Sequence, residues 1–181
     1  SEGRKEQTFR TDQDNAIIHA EAGSPEALAS VQGYFREYTA FVKDSLLRCG
    51  FPTCPANYMA SNPHWCRQLS SWKRMCADWI DSPTAEALLS AVTFFDFRPV
   101  YGDLTLAEDL RHFLVAALQD RKVFLGHLAN MAVKNAPPVG FFRSFVVEQD
   151  GAHKDLLNLK VKGFAPLVDI VRLFALERGA R

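Results

Sequence analysis

The chain has 181 residues, 48% of them hydrophobic, 12% aromatic and 23% charged, with Lys plus Arg equal to Asp plus Glu at 21 each. Such a composition excludes a disordered or low-complexity chain, and the charge balance excludes the broad positive field that draws a protein onto nucleic acid or an anionic membrane. No apolar run approaches the ~18 residues a membrane span needs, and the polar start from Ser1 to Arg10 is not a signal peptide, so the cytoplasm is the expected compartment.

Ser1 leads directly into a charged turn with no apolar element before it, which points to a fragment. Ala16-Ile17-Ile18, bounded by Glu21-Ala22-Gly23, predicts a buried strand. Ser24-Pro25-Glu26 then offers an N-cap with proline at the first helical position. Leu28, Val31, Phe35, Val42 and Leu46 continue at helical spacing until Gly50 stops the helix. Phe51 to Pro55 reads as a loop, and Asn57 to Ala60 as a second short strand before the breaker Ser61-Asn62-Pro63.

Trp65, Leu69, Trp72, Cys76 and Trp79 follow at alternating steps of four and three, which predicts one helix face and a packing seam of tryptophans. The pattern stays helical from Pro83 to Phe97. Thr105-Leu106-Ala107-Glu108 reads as a capping box that opens a long helix to about Asn135, where Pro137-Pro138 ends it. Phe141 to Glu148 alternates as a strand, Asp150-Gly151 is a turn signal, and Leu156 to Leu159 is its expected partner. A last helix is expected over Ala165 to Leu176. The fold class is therefore α+β, with an α/β segment before Pro63 and a mainly helical one after it. Cys49, Cys54, Cys66 and Cys76 lack the paired spacing of a zinc site and read as reduced thiols.

The chemistry concentrates in Thr11-Asp12-Gln13-Asp14-Asn15. On an extended segment, residues i and i+2 share a face with Cα atoms roughly 6.5 to 7 Å apart, so Asp12 and Asp14 reach one cation while Gln13 points away. Two carboxylates on one face repel each other, and a bound Mg²⁺ removes that repulsion while keeping places for phosphate oxygens. A serine-glycine turn a few residues upstream supplies backbone N–H groups for a phosphate. The plainer alternative is a solvated pair of acids at a strand end.

The run Ser1-Glu2-Gly3-Arg4-Lys5-Glu6-Gln7-Thr8-Phe9-Arg10-Thr11-Asp12-Gln13-Asp14-Asn15 closely resembles the signature of a family of bacterial nucleotidyltransferases. That family is often fused to cyclic-nucleotide-binding and CBS domains. It is similar to the PII-protein uridylyltransferases and sits in the polymerase-beta-like superfamily. Phe51-Pro52-Thr53-Cys54-Pro55, Met59-Ala60-Ser61-Asn62-Pro63 with Trp65, Phe94 to Asp103, and Asn158-Leu159-Lys160 with Gly163 and Asp169 look like later blocks of it.

The resemblance implies a nucleotidyltransferase domain over residues 1–63, without its first strand and helix, and a helical substrate-binding domain over 64–181. It implies Asp12 and Asp14 as catalytic, metal-binding residues for Mg²⁺ or Mn²⁺, Ser1 and Gly3 as the triphosphate turn, and Arg4 as a neutraliser of phosphate charge. Arg98 and Lys160 are further candidates for nucleotide contacts, with structural ion pairs to Asp96, Asp103 or Asp169 as the alternative. The implied reaction moves a nucleoside monophosphate from an NTP to a hydroxyl, on a regulatory protein by analogy with PII uridylylation. CBS or cyclic-nucleotide-binding domains are the implied associates.

The sequence departs from the superfamily pattern in lacking the glycine before the serine, and a third carboxylate on the neighbouring strand, since Asn57 to Ala60 contains no acid. Asp96 is one candidate to supply that acid, and His64 a candidate base or substrate contact. His19, His112, His127 and His153 show no partner pattern. A nucleotide-binding regulatory module without turnover is the alternative function, and a purely structural helical interaction domain the third.

Overall fold

The computed structural model describes residues 2–5, 11–134, 157 and 159–179. They form six helices and a two-stranded parallel sheet, an α+β arrangement. The strands are β1, Ile17–His19, and β2, Cys66–Gln68. Ile17 pairs with Cys66, Ile18 with Arg67 and His19 with Gln68. The strand expected at Phe141 to Glu148 lies outside the described residues. Leu159, expected in its partner, opens a wide helical turn, Leu159–Phe164.

Helix α1, Pro25–Arg48, starts as its sequence dictates: the Ser24 hydroxyl accepts the Ala27 N–H, and proline occupies the first turn, where its missing N–H costs nothing. It ends before Gly50, whose φ of +94° is the left-handed turn that a residue without Cβ adopts freely. Helix α2, Leu69–Asp81, begins later than the tryptophan spacing predicts. Trp65 lies on a tight turn, Pro63–Trp65, capped by the Asn62 side chain, and β2 intervenes before the helix. The expected strand at Asn57 to Ala60 is instead a turn region, and the sheet partner of β1 is β2. Pairing with β1 outweighs the helical spacing of these few residues.

Helix α3, Ala85–Phe94, is capped by the Thr84 hydroxyl. The single long helix expected from Thr105 is two helices, α4, Leu104–Leu118, and α5, Lys122–Lys134. Asp120 breaks it at a φ of +60°. Asp103, rather than Thr105, caps α4: its carboxylate accepts both the Thr105 N–H (3.0 Å) and the Thr105 hydroxyl (2.6 Å). Helix α6, Ala165–Arg178, closes the chain as expected and ends at Gly179 with φ +59°.

The chain divides into two compact units. The first comprises Ser1–Ala77 and Asp96–Leu114. Its buried side chains include Met59, Trp65, Trp72, Met75, Cys76 and Leu110. The Trp72 indole N–H donates to the Ile17 carbonyl at 2.9 Å, so the sheet and α2 share one apolar interior without an unpaired indole. The second unit comprises Asp78–Phe95 and Val115–Arg181. Trp79 packs against Phe94 and Phe95 there, and Phe95 against Phe124, with centroids 6.2 to 6.3 Å apart. All three tryptophans are buried, as a packing seam requires, and all four cysteines are free thiols.

Candidate active site

The segment before β1 is stitched, residue by residue, to the loop after α1. Gln13 donates its N–H to the Pro52 carbonyl (2.9 Å) and bridges to Thr53 in parallel fashion. Asn15 donates its N–H to the Tyr58 carbonyl (3.0 Å), while its side-chain oxygen accepts the Ala60 N–H (2.9 Å). Gln13 is buried, and its amide nitrogen donates to the carbonyls of Lys43 (3.1 Å) and Phe51 (2.8 Å). Its inward anchoring leaves the two flanking aspartates on the opposite face, as alternation on an extended chain demands.

Asp12 and Asp14 do converge, and a third group joins them. One ligand atom from each of Asp12, Asp14 and Cys54 lies within 4.8 Å of the other two. Cys54 is buried, whereas Asp14 is exposed, so the cluster has a closed sulfur side and an open carboxylate side. Burial pushes the Cys54 thiol up from its ordinary value, and the neighbouring Asp14 carboxylate adds to that; the backbone N–H groups of Tyr58 and Ala56 act against it. The donor set fits a divalent cation: two hard carboxylates and one soft sulfur, close enough to share an ion, with an open side for further ligands.

Cys54 is the residue that sequence reasoning missed. Its spacing from the other cysteines carries no signal, and forty residues separate it from Asp14. The faint clue was Thr53-Cys54-Pro55: the residue before a proline is held extended, which suits a segment lying beside another extended one.

The other expected site residues fall elsewhere. Gly3 lies in a tight turn, Glu2–Arg4. A Cβ built on Gly3 would collide with the Asp96 carbonyl oxygen, so only glycine permits this approach. The Arg4 guanidinium forms an ion pair with the Asp96 carboxylate, whose side chain is largely buried. Asp96 is thus engaged with Arg4, and it is not a member of the Asp12–Asp14–Cys54 cluster. Arg98 is exposed in the same unit. Ser1 and the Lys160 side chain lie outside the described residues. Asp103 caps α4, and Asp169 pairs with Arg172 at 2.6 Å. His64 contacts the Arg67 guanidinium at 3.0 Å through its ring nitrogen. Among the described residues, no helix is long and apolar enough to cross a membrane.

Residues 1–86 match a family model described as "Putative nucleotidyltransferase DUF294". Residues 122–181 match one described as "Putative nucleotidyltransferase substrate binding domain". No curated protein and no solved structure matches the chain. The two matched segments together span 146 of the 181 residues, and both models describe nucleotidyltransferase domains.

Proposed function

We propose that this chain is a nucleotidyltransferase that moves a nucleoside monophosphate from an NTP onto a hydroxyl acceptor and releases pyrophosphate, with Asp12 and Asp14 holding Mg²⁺ or Mn²⁺. The observation behind the proposal is the convergence of the two carboxylates at an open face, inside the segment that matches the family. A divalent ion, when bound, supplies charge neutralisation at the phosphate oxygens, usually the largest electrostatic need of such a transfer.

The protein's own groups do the rest. Asp12 and Asp14 supply the anionic ligands, and Gln13 fixes the backbone between them through its paired bonds to Lys43 and Phe51. The Glu2–Arg4 turn offers backbone N–H groups to the triphosphate, and Asp96 orients the Arg4 guanidinium for the phosphate charge. Arg98 and Lys160 are the further basic contacts proposed for the nucleotide. In the transfer, the acceptor oxygen bonds to the α-phosphorus and the bond from that phosphorus to the bridging oxygen breaks. Pyrophosphate leaves, and the hydroxyl proton passes to solvent.

A regulatory protein as acceptor and CBS or cyclic-nucleotide-binding domains as associates are part of the same proposal, resting on the sequence resemblance alone. We assign catalysis to residues 1–63 and substrate binding to 64–181. A second reading, nucleotide binding without turnover in a signalling module, is favoured by one feature: the third member of the cluster is a thiol where a carboxylate was expected.

Labelled ATP or UTP, offered with Mg²⁺ or Mn²⁺ and candidate acceptor proteins, separates the two. Transfer of label that vanishes in Asp12→Asn supports the enzyme. Metal-dependent NTP binding without transfer for any nucleotide supports the regulatory module instead.

A further inference from the structure

We propose that Cys54 is the third ligand of the Asp12–Asp14 centre, so that the site favours the more thiophilic divalent cations, Mn²⁺ modestly ahead of Mg²⁺, with the soft Cd²⁺ as the strongest probe. The proposal rests on the assignment of Asp12 and Asp14 as metal ligands. It adds which ion they hold and why.

The position of Cys54 is fixed from both sides. On its N-terminal side, Gln13 holds Pro52 and bridges Thr53. On its C-terminal side, Asn57 donates its N–H back to the Cys54 carbonyl (3.0 Å), in a turn that holds Asn57 at a φ of +59°. Asn15 then ties Tyr58 and Ala60 to the same segment that carries the aspartates. The segment bearing both carboxylates and the loop bearing the sulfur are therefore one hydrogen-bonded unit. The ligand atoms lie within 4.8 Å of one another because the backbone is built that way, with no long flexible side chain needed to close the distance.

The chemistry of the three donors then chooses the ion. Mg²⁺ takes oxygen ligands in near-ideal octahedral geometry and gains little from sulfur. Thiolate is a soft ligand, and along the first-row series divalent ions bind nitrogen and sulfur donors more strongly than Mg²⁺ does. Two carboxylates with a third carboxylate would make a hard, magnesium-type set. Two carboxylates with a thiol make a mixed one. On binding, the Cys54 sulfur–metal bond forms and the thiol proton is released to solvent.

The test is a metal titration of the full chain, followed by calorimetry and by ultraviolet absorption from sulfur-to-metal charge transfer. For the wild type, Mn²⁺ should bind more tightly than Mg²⁺, and Cd²⁺ should give a charge-transfer band. The band should disappear in Cys54→Ser, and also in Asp14→Asn, which keeps every cysteine. Cys54→Ser should weaken Cd²⁺ and Mn²⁺ binding at least by the ~10- to 100-fold that even an outer-shell partner of a metal is worth, with a smaller loss for Mg²⁺. Cys54→Asp should reverse the preference toward Mg²⁺. A Cd²⁺ band that survives Cys54→Ser, or a Mn²⁺-to-Mg²⁺ affinity ratio unchanged in Cys54→Asp, would overturn the proposal. Cation binding that needs Asp12 and Asp14 but ignores Cys54 refutes the sulfur ligand and leaves the transferase untouched. An intact Cys54-dependent band with no nucleotide transfer refutes turnover and leaves the sulfur ligand standing.

Discussion

Gln13 lies between the two aspartates and is not a member of the Asp12–Asp14–Cys54 cluster, yet the geometry of the pair depends on it. Its buried amide nitrogen serves two carbonyls, while its oxygen has no partner in the structure. Truncation leaves those carbonyls less well satisfied in a closed environment, at a cost of about 1–3 kcal/mol. Gln13→Ala is therefore expected to lower the unfolding midpoint and to weaken cation binding together, measurable by thermal melting and calorimetry. A loss of stability with unchanged cation affinity would limit Gln13 to a structural role. Cys76 gives a residue-scale prediction of another kind. Burial pushes its thiol from the ordinary 9.0 up to about 12, so the folded chain keeps the proton that the unfolded chain surrenders above pH 9. The stability this group contributes is complete below pH 9 and declines between pH 9 and about 12, by up to ~1.4 kcal/mol per pH unit. Urea melts across that range should show a shallower decline in Cys76→Ala than in the wild type. At this scale the aspartates were legible because i, i+2 spacing needs only a local extended backbone. Cys54 was not, because what places it beside them is a pairing between Gln13 and Thr53 that no local pattern encodes.

The elements that carry these residues are held by side-chain caps as much as by apolar packing. Glu21, just past β1, accepts the Ser70 N–H (2.6 Å) and the Ser70 hydroxyl (2.8 Å), so an anion meets the positive end of α2. Removing it is comparable to losing an N-cap, so Glu21→Ala should cost about 1 kcal/mol, seen as a lower urea midpoint at an unchanged slope. The Ser24 cap was readable because its accepting oxygen sits immediately before a helix-forming run, whereas the Thr84 cap was not singled out. The break between α4 and α5 was hidden because Asp120 takes its left-handed conformation without a glycine or proline to announce it. β2 was hidden because Trp65, Leu69 and Trp72 share a helical spacing that persists across a turn and a strand, and only the partner β1 decides between them.

For the whole molecule, the α+β class followed from short strand-like runs set among longer helical ones, of which the run at Ala16-Ile17-Ile18 enters a strand. The compact units each gather two separate chain segments, an arrangement that no local pattern encodes. The family match over residues 1–86 includes the aspartates, Cys54 and the Glu2–Arg4 turn, and every one of them lies in the first unit. On the proposed function, that placement makes nucleotide and cation linked ligands of a single unit, so each should raise the melting temperature more when the other is present. A structure of the chain with Mn²⁺ and a nonhydrolysable NTP, read by the anomalous signal of the ion, tests this most directly. The ion is expected between the Asp12 and Asp14 carboxylates with triphosphate oxygens in its shell. Nucleotide bound with its ion remote from both carboxylates would contradict the account.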